Sequence, residues 1–356
     1  MTSPLTAQVL ADPVALTRAL VDIESVSGNE QEIADAVEEV LAPLPHLKVE
    51  RIGHTIIART ELGRDLRVVL AGHLDTVPLA DNFPSTVDAQ RIWGCGTSDM
   101  KSGTALALHL AATAPETKHD VTYFFYECEE VEHHRNGLNK VAEARPELLQ
   151  ADLALLLEPT FGLVEAGCQG TMRARVKVTG RRAHSARSWL GINAIHGAGE
   201  ILVRLAQYQA REVDIDGCLY REGLNAVRIL GGVAGNVIPD LCEIEVNFRF
   251  APDRSVEQAT AHVMEVLDGF DVEITDSAGG ALPGLSAPAA QGFIEAVGAK
   301  PNAKLGWTDV ARFADLGVPA LNFGPGDPNL AHTREEHVEI EKIELGAKVL
   351  RRWLVG

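Results

Sequence analysis

The sequence predicts an α/β protein of two domains, with a mixed, mostly parallel sheet in the larger domain and an inserted α+β domain. A chain of 356 residues is long for a single hydrophobic core. Short apolar runs alternate with stretches of helical periodicity, which is typical of parallel sheets covered by helices. After Gly167 the order changes to βαββαβ, so we expect residues 171–281 to form the insert and residues 1–170 and 282–356 the larger domain.

The overall charge and composition exclude several classes of function. The formal net charge is −18, which disfavours nucleic acid and anionic membrane surfaces as partners but leaves a small anionic substrate open. The sequence contains no run of about 18 apolar residues, which is the pattern that would indicate a membrane span. The five cysteines are scattered without a CxxC pair, and the first residues lack a secretory pattern. We therefore expect a cytoplasmic protein without a disulfide framework.

Two helices are predicted near the N-terminus. Asp12 followed by Pro13 is typical of an N-cap and a first helical position. The second helix is expected to begin after Asn29, where Glu32 completes a capping-box pattern, and to end near Leu41.

β-rich runs and further helices follow along the chain. The runs are residues 48–52, 55–59, 67–71, 121–126 and 153–157. The last three are nearly all apolar, as strands buried on both faces should be. Helices are expected between them at residues 102–113 and 139–145.

The predicted insert can form a four-stranded sheet with two helices. Its elements are strand 171–179, helix 192–208, strands 225–231 and 241–250, helix 255–268 and strand 270–275. The α/β pattern then resumes with helix 308–316, strand 318–323 and helix 340–354.

Polar residues stand where strands of the larger domain end or in a glycine-rich turn before a helix. They are His73, Asp75, Asp99, Glu129, Glu130 and Glu158. In open α/β sheets ligands gather at the carboxyl ends of the strands, and imidazole and carboxylate groups are donors that zinc accepts. The neighbouring Glu129 and Glu130 point in different directions, so one can bind a metal while the other faces the substrate.

Several strings resemble motifs of one metallopeptidase family. GHLDTVP at residues 72–78 and GCGTSDMK at residues 94–101 resemble the first two motifs of the zinc peptidase family that contains carboxypeptidase G, aminoacylase and succinyl-diaminopimelate desuccinylase. Glu129-Glu130, residues 158–160 and the late His332 match the remaining motifs in order. The resemblance extends over nearly the whole chain, including the insert.

The resemblance implies a centre of two zinc ions per chain, with cobalt able to replace one of them. Asp99 would bridge the two ions. His73 and Glu158 would complete one site, and Glu130 and His332 the other. Two ions that share a water molecule lower its pKa, so that hydroxide is available near neutral pH.

The same resemblance assigns roles to residues around the ions. Glu129 is the expected general base. Asp75 would hold the second ring nitrogen of His73. The family also implies a cis peptide bond between Asp99 and Met100.

The insert is expected to complete the active site of a neighbouring subunit. His184 resembles a family histidine that donates to the oxyanion of the tetrahedral intermediate across a dimer. Asn236 and Arg249 resemble the family's substrate-binding pair. The resemblance therefore implies a homodimer built through the inserted domain.

Further segments resemble the actinobacterial succinyl-diaminopimelate desuccinylases within this family. They are residues 166–171, 182–191, 306–313 and 323–328. This similarity implies hydrolysis of the amide bond of N-succinyl-LL-2,6-diaminopimelate, a small anionic acyl-amino acid of lysine and diaminopimelate biosynthesis.

The expected substrate contacts lie in or near these segments. Its three carboxylates could each meet the planar fork of an arginine. Expected contact residues are Arg187, Arg249, Arg312, Thr308 and Gly324. In the alternative interpretation, Arg187 and Arg312 are ordinary salt-bridge partners.

Two other functions remain open at this point. The same chemistry could serve an N-acetylornithine-type deacylase or a dipeptidase, because a fold does not determine its substrate. A member of a different class would be a metal-binding relative without catalysis. His133 and His134 are interpreted as part of a polar loop, and Cys95 and Cys128 as inert thiols.

Overall fold

The structure is a computed structural model that describes residues 4–356. Its α-helices are α1 (Ala7–Ala11), α2 (Pro13–Val21), α3 (Gln31–Leu41), α4 (Ser102–Thr113), α5 (Gly137–Ala144), α6 (Ala194–Ala206), α7 (Val256–Val266), α8 (Pro288–Val297), α9 (Val310–Asp315) and α10 (Ile340–Leu354). No helix in this part of the chain combines the length and apolarity needed to cross a bilayer.

The strands are more numerous than the sequence predicts. They are β1 (Lys48–Ile52), β2 (Thr55–Arg59), β3 (Arg67–His73), β4 (Thr86–Val87), β5 (Arg91–Trp93), β6 (Asp120–Tyr126), β7 (Leu153–Leu156), β8 (Glu165–Ala166), β9 (Gly170–Thr179), β10 (Ala183–His184), β11 (Glu212–Ile215), β12 (Cys218–Arg221), β13 (Gly223–Gly231), β14 (Val237–Ile238), β15 (Leu241–Phe250), β16 (Asp271–Ala278), β17 (Asn302–Ala303), β18 (Ala320–Asn322) and β19 (His337–Glu339).

The chain divides into two compact units. The first comprises the described residues up to Ala166 together with Gly284–Asn302 and Thr308–Gly356. The second comprises Gly167–Pro283 and Ala303–Trp307. Residues 303–307 thus belong to the second unit, although the sequence prediction placed them in the larger domain.

The first unit is built on a mixed sheet with the strand order β1-β2-β6-β3-β7-β18-β8-β17. The central pairs β6–β3, β3–β7 and β7–β18 are parallel, whereas β1–β2, β2–β6 and β18–β8 are antiparallel. Every residue of β6 and β7 is buried, as expected for strands covered on both faces. The mixed sheet, with its parallel central strands, confirms the predicted α/β class.

The N-terminal helices confirm one capping prediction and contradict the other. The Asp12 carboxylate caps α2 by accepting from the main-chain N–H groups of Val14 and Ala15, at 2.9 and 3.2 Å. The capping box predicted from Asn29 is wrong, because Glu30 is the N-cap of α3 and makes no side-chain cap hydrogen bond. The Glu30 carboxylate instead accepts from the main-chain N–H of Cys128 at 3.1 Å.

The second unit contains an antiparallel sheet with the order β13-β15-β9-β16. Helices α6 and α7 contribute buried residues such as Ile201 and Val263 to the same core as Val176, Ile244 and Phe248 of the sheet. This is the four-stranded layer with two helices that the βαββαβ pattern predicts. A hairpin of β11 and β12 was not predicted, because strands of four residues show too little periodicity.

Candidate metal centre

Three parallel strands bring the predicted ligands to one edge of the sheet. In the register of β3 with β6, His73 lies opposite Tyr126, and Ala71 of β3 lies opposite Leu156 of β7. The loop with Glu129 and Glu130 therefore leaves the sheet beside His73. Glu158 follows β7 at the same edge, where ligands of open α/β sheets bind.

The five predicted metal ligands come together around Asp99. Two groups of side chains each offer ligand atoms that lie within 4.8 Å of one another. One group is His73, Asp99 and Glu158, and the other is Asp99, Glu130 and His332. Asp99 belongs to both groups, as a bridging ligand must.

The carboxylate of Asp99 divides its two oxygens between two histidines. Its Oδ1 lies 3.2 Å from Nε2 of His73, and its Oδ2 lies 3.4 Å from Nε2 of His332. Nitrogen and oxygen donors of this kind suit divalent zinc. Several carboxylates this close would also repel one another without cations or protons between them. The donor set therefore fits a pair of divalent metal ions.

The ring orientation of His73 leaves the correct nitrogen for a metal. Nδ1 of His73 lies 3.0 Å from the main-chain carbonyl of Asp75, which can only accept, so Nδ1 carries the proton. Nε2 then faces Asp99. The peptide bond between Asp99 and Met100 is cis, as the sequence resemblance implies.

Asp75 contacts the loop of Glu129 and Glu130 as well as the imidazole of His73. Its carboxylate lies 3.5 Å from Nδ1 of His73, farther than its own carbonyl. The same carboxylate accepts from the main-chain N–H groups of Glu129 at 3.0 Å and Glu130 at 3.2 Å. It also accepts from Oγ of Ser27 at 2.7 Å. Asp75 thus fixes the loop that carries both glutamates.

Mutual contacts shift the pKa values of the candidate ligands. Hydrogen bonds that the His332 ring donates to Asp99 and Glu130 raise the pKa of His332 to about 10. Burial opposes protonation of His73, but hydrogen bonds with Asp75 and Asp99 raise its pKa well above the usual value. For Asp99, burial is outweighed by the two histidines, which lower its pKa. Without metal, the imidazoles therefore carry protons.

Glu129 lies beside the ligands and differs from them in its electrostatics. Burial, followed by the nearby carboxylates of Asp309 and Glu158, raises its pKa well above the usual value. A carboxylate that holds a proton readily is suited to general acid–base work. Glu129 also places a ligand atom within 4.8 Å of those of His73 and Glu130.

Arg312 is engaged by the protein itself. Its guanidinium donates to the carboxylate of Asp309 and to the side-chain oxygen of Asn139. Asp309, which is fully buried, also accepts from Nδ2 of Asn136 at 3.0 Å. This network favours the salt-bridge interpretation of Arg312 over its expected contact with a substrate carboxylate.

Thr308 and Gly324 are both buried in the first unit. Oγ1 of Thr308 donates to the side-chain oxygen of Asn322 at 2.9 Å. A Cβ atom at Gly324 would lie 2.4 Å from the main-chain oxygen of Leu157 and 2.5 Å from that of Glu158. Packing therefore requires glycine at this position, because a residue with a Cβ atom could not approach Glu158 so closely.

The second unit places His184 and Asn236 side by side. Strand β10 pairs with β14 so that His184 lies opposite Val237, and the carbonyl of Asn236 accepts from the main-chain N–H of Ser185 at 2.9 Å. Nδ1 of His184 accepts from the main-chain N–H of Ala186 at 3.0 Å. In the neutral ring, Nε2 of this exposed histidine is therefore the donor.

The two arginines of the second unit differ in their surroundings. Arg187 is exposed, whereas Arg249 is half-buried on β15. Burial, reinforced by Arg173, lowers the pKa of Arg249. Within residues 4–356 no acidic side chain forms an ion pair with Arg249, so an anionic ligand would relieve its desolvation.

A second acidic cluster does not resemble a metal site. Glu30, Glu127 and Cys128 also place ligand atoms within 4.8 Å of one another. However, Nζ of Lys140 lies 2.9 Å from Oε1 of Glu127. Burial and Glu30 raise the pKa of the Cys128 thiol to about 12, which keeps it protonated. These features disfavour a cation and agree with an inert thiol.

The chain is similar over 97% of its length to bacterial proteins named for one activity. It is 53% identical over 357 residues to the succinyl-diaminopimelate desuccinylase of Corynebacterium glutamicum, with 97% of each chain covered. It is 58% identical over 348 residues to a Mycobacterium tuberculosis protein whose name, succinyl-diaminopimelate desuccinylase DapE, is provisional, with 97% of this chain and 98% of the relative covered.

Solved structures share the fold at lower sequence identity. A tripeptidase of Staphylococcus aureus superposes with a TM-score of 0.80 at 21% identity, with 97% of both chains covered. A dinuclear metal-binding peptidase of Bacillus subtilis superposes with a TM-score of 0.68 at 18% identity, with 96% of both chains covered. The sequence profile of peptidase family M20/M25/M40 matches residues 69–355. The chain therefore belongs to peptidase family M20/M25/M40.

Proposed function

We propose that the protein hydrolyses the amide bond of N-succinyl-LL-2,6-diaminopimelate and releases succinate and LL-2,6-diaminopimelate. One observation supports the hydrolytic chemistry: one oxygen of the Asp99 carboxylate faces His73 and the other faces His332. The choice of acyl group is supported by relatives named succinyl-diaminopimelate desuccinylase at 53–58% identity.

The proposed cofactor is a pair of zinc ions, with cobalt able to replace one of them. Asp99 would bridge the ions, His73 and Glu158 would hold one, and Glu130 and His332 the other. When bound, such a pair lowers the pKa of water enough to make hydroxide available near neutral pH.

The side chains around this centre would transfer protons, stabilise the oxyanion and bind the substrate. Glu129 accepts the proton of the attacking water and passes it to the leaving amine as the acyl carbon–nitrogen bond breaks. Asp75 keeps the main chain of Glu129 in place. His184, whose Nδ1 accepts from the main-chain N–H of Ala186, would donate its Nε2–H to the oxyanion of the tetrahedral intermediate. Arg249 and Asn236 are proposed to bind the anionic substrate, with Arg187, Thr308 and Gly324 as further contacts.

A substrate panel tests the proposed activity. We expect the zinc-loaded protein to show its greatest kcat/KM on N-succinyl-LL-2,6-diaminopimelate, and much lower values on N-acetylornithine and on dipeptides. Chelator-treated protein should be inactive and should recover when zinc is added, with the bound metal counted in each sample. A greatest kcat/KM on acetylornithine or a dipeptide would refute the proposed substrate. No turnover on any of them would favour a metal-binding relative without catalysis.

The proposed protein is a homodimer formed through the second unit. Strand β13 lies at an edge of its sheet and exposes the apolar side chains of Val227, Ile229 and Leu230. Long apolar edge strands tend to pair with another chain. The opposite edge strand, β16, carries Asp271 and Glu273 instead, and charged edges resist pairing. A second copy paired along β13 would therefore cover this apolar edge.

Subunit complementation tests the contribution of His184 across that dimer. Chains with His184→Ala and chains with Glu129→Ala should each be inactive alone. After subunit exchange, mixed dimers should regain one working site, which receives an intact Glu129 from one chain and an intact His184 from the other. Mixing either variant with itself is the control. Proven exchange without recovered activity would contradict the shared site.

The proposed location is the cytoplasm. All five cysteines are buried, and their scattered positions suit a reducing compartment.

A further inference from the structure

Glu336 is a buried carboxylate that belongs to neither ligand group. Its side chain is 1% exposed. It lies four positions after His332, in the segment that leads into β19. Its Oε1 accepts from the main-chain N–H of Ser98 at 2.9 Å and from the main-chain N–H of Asp99 at 3.0 Å. One oxygen of Glu336 therefore accepts hydrogen bonds from the main-chain N–H groups of two successive residues, Ser98 and Asp99.

The surrounding main chain is joined independently of this side chain. The main-chain oxygen of Glu336 accepts from the N–H of Gly94 at 3.0 Å, and His337 pairs with Trp93 in the ladder of β19 and β5. Oγ of Ser98 donates to the carbonyl of His337 at 2.8 Å. Loss of the Glu336 carboxylate would therefore leave the two segments in contact. It would release the amides of Ser98 and Asp99, together with the contact to the main chain of Gly96.

Asp99 depends strongly on its main-chain orientation. Its two carboxylate oxygens must face His73 and His332 at once, at 3.2 and 3.4 Å. The loop around it departs from helical geometry at Asp99 and at Met100, so helical hydrogen bonding does not fix these residues. Charge-assisted hydrogen bonds to main-chain N–H groups are short and strong, and groups that orient ligands tune metal affinity.

We propose that Glu336 is a positioning residue, whose carboxylate fixes the main chain of Asp99 so that both oxygens of Asp99 reach their sites. It also ties this loop to the segment that carries His332. The inference rests on the proposed two-metal centre, but its effect on the loop exists in the metal-free protein too.

The test compares Glu336→Ala, which removes the acceptor, with Glu336→Gln, which keeps an oxygen at the Oε1 position. Glu335→Ala, at the exposed neighbouring acid, is the matched control. Two quantities are measured: hydrogen exchange of the amides in residues 94–101 of the metal-free protein, and zinc affinity by competition with a chromophoric chelator. The absorption spectrum of the cobalt-loaded protein reports ligand geometry.

Glu336→Ala should speed exchange at Ser98 and Asp99 and weaken metal binding by about 10–100-fold, with an altered cobalt spectrum. Glu336→Gln should lie much nearer to the unmodified protein, and Glu335→Ala should match it. Unchanged exchange and affinity in Glu336→Ala would overturn the proposal, as would Glu336→Gln behaving like Glu336→Ala.

If Glu336→Ala does not fold, Glu336→Asp decides, because it withdraws the acceptor by one methylene and retains the charge. Weakened metal binding in a folded Glu336→Asp supports the proposal, and unmodified affinity overturns it. A failure of the unmodified protein to bind zinc would instead reject the proposed function. Hydrogen exchange of the metal-free protein would still test whether Glu336 positions the main chain of Asp99.

Discussion

Replacing Glu129 by Gln is expected to lower kcat by about 10²–10⁴-fold while leaving the bound metal unchanged. The amide keeps the size of the side chain but cannot accept a proton from water. Asp75 accepts from the main-chain N–H of Glu129, so the loop should keep its position in the variant. Measurement requires kcat at saturating substrate together with the metal content of the same sample.

The metal count separates the two roles open to this residue. Glu129 lies close enough to His73 and Glu130 to act as a third ligand there. If it were a ligand, Glu129→Gln would lose metal and activity together, as Glu130→Gln should. Glu132→Gln, at an exposed acid in the same loop, is the control and should keep both. Full activity in Glu129→Gln would refute the general-base assignment.

Zinc affinity is expected to fall steeply as the pH is lowered from about 8 to about 6. The pKa of His332 is raised to about 10 by Asp99 and Glu130, and that of His73 is raised well above its usual value. Both imidazoles therefore carry protons at neutral pH in the metal-free protein. Zinc binds the neutral ring, so binding releases these protons.

The decrease in zinc affinity at lower pH follows from the raised pKa values of the two histidines. Below the pKa of His332, every unit decrease in pH makes the neutral ring rarer, and affinity falls by about tenfold per unit for each proton released. Calorimetry in buffers of different ionisation enthalpy counts those protons. His332→Ala should lose one proton from the count, whereas His134→Ala, at an exposed histidine, should not. Affinity that is independent of pH would contradict the assignment of both histidines.

Part of the site was predictable because it depends on strand order. The apolar runs that became β3, β6 and β7 identify parallel strands, and the carboxyl ends of parallel strands meet at one edge. His73, Glu129, Glu130 and Glu158 follow from this rule. His332 does not, since no predicted strand ends before it, and only the family resemblance pointed to it.

The contacts that orient these ligands were not predictable. Asp75 was expected to hold the imidazole of His73, yet its carboxylate also receives the amides of Glu129 and Glu130. Arg312 was expected either to meet a substrate carboxylate or to be an ordinary salt-bridge partner, and its guanidinium donates to Asp309. Asn136 and Glu336 showed no motif or spacing signal, and Asp309 lies in a segment of family resemblance without a role assigned to it. Each of them acts through partners distant in sequence.

By itself, the sequence determined the α/β class, the inserted βαββαβ layer and the identity of the residues at the strand ends. These follow from periodicity and strand order, which are local properties. Only the tertiary structure decided which carboxylates gather in the candidate metal centre and which hold the main chain. Asp75 meets Glu129 across 54 positions, and Glu336 meets Ser98 across 238. A buried carboxylate takes whichever N–H groups folding leaves unpaired beside it, and no local pattern specifies those groups.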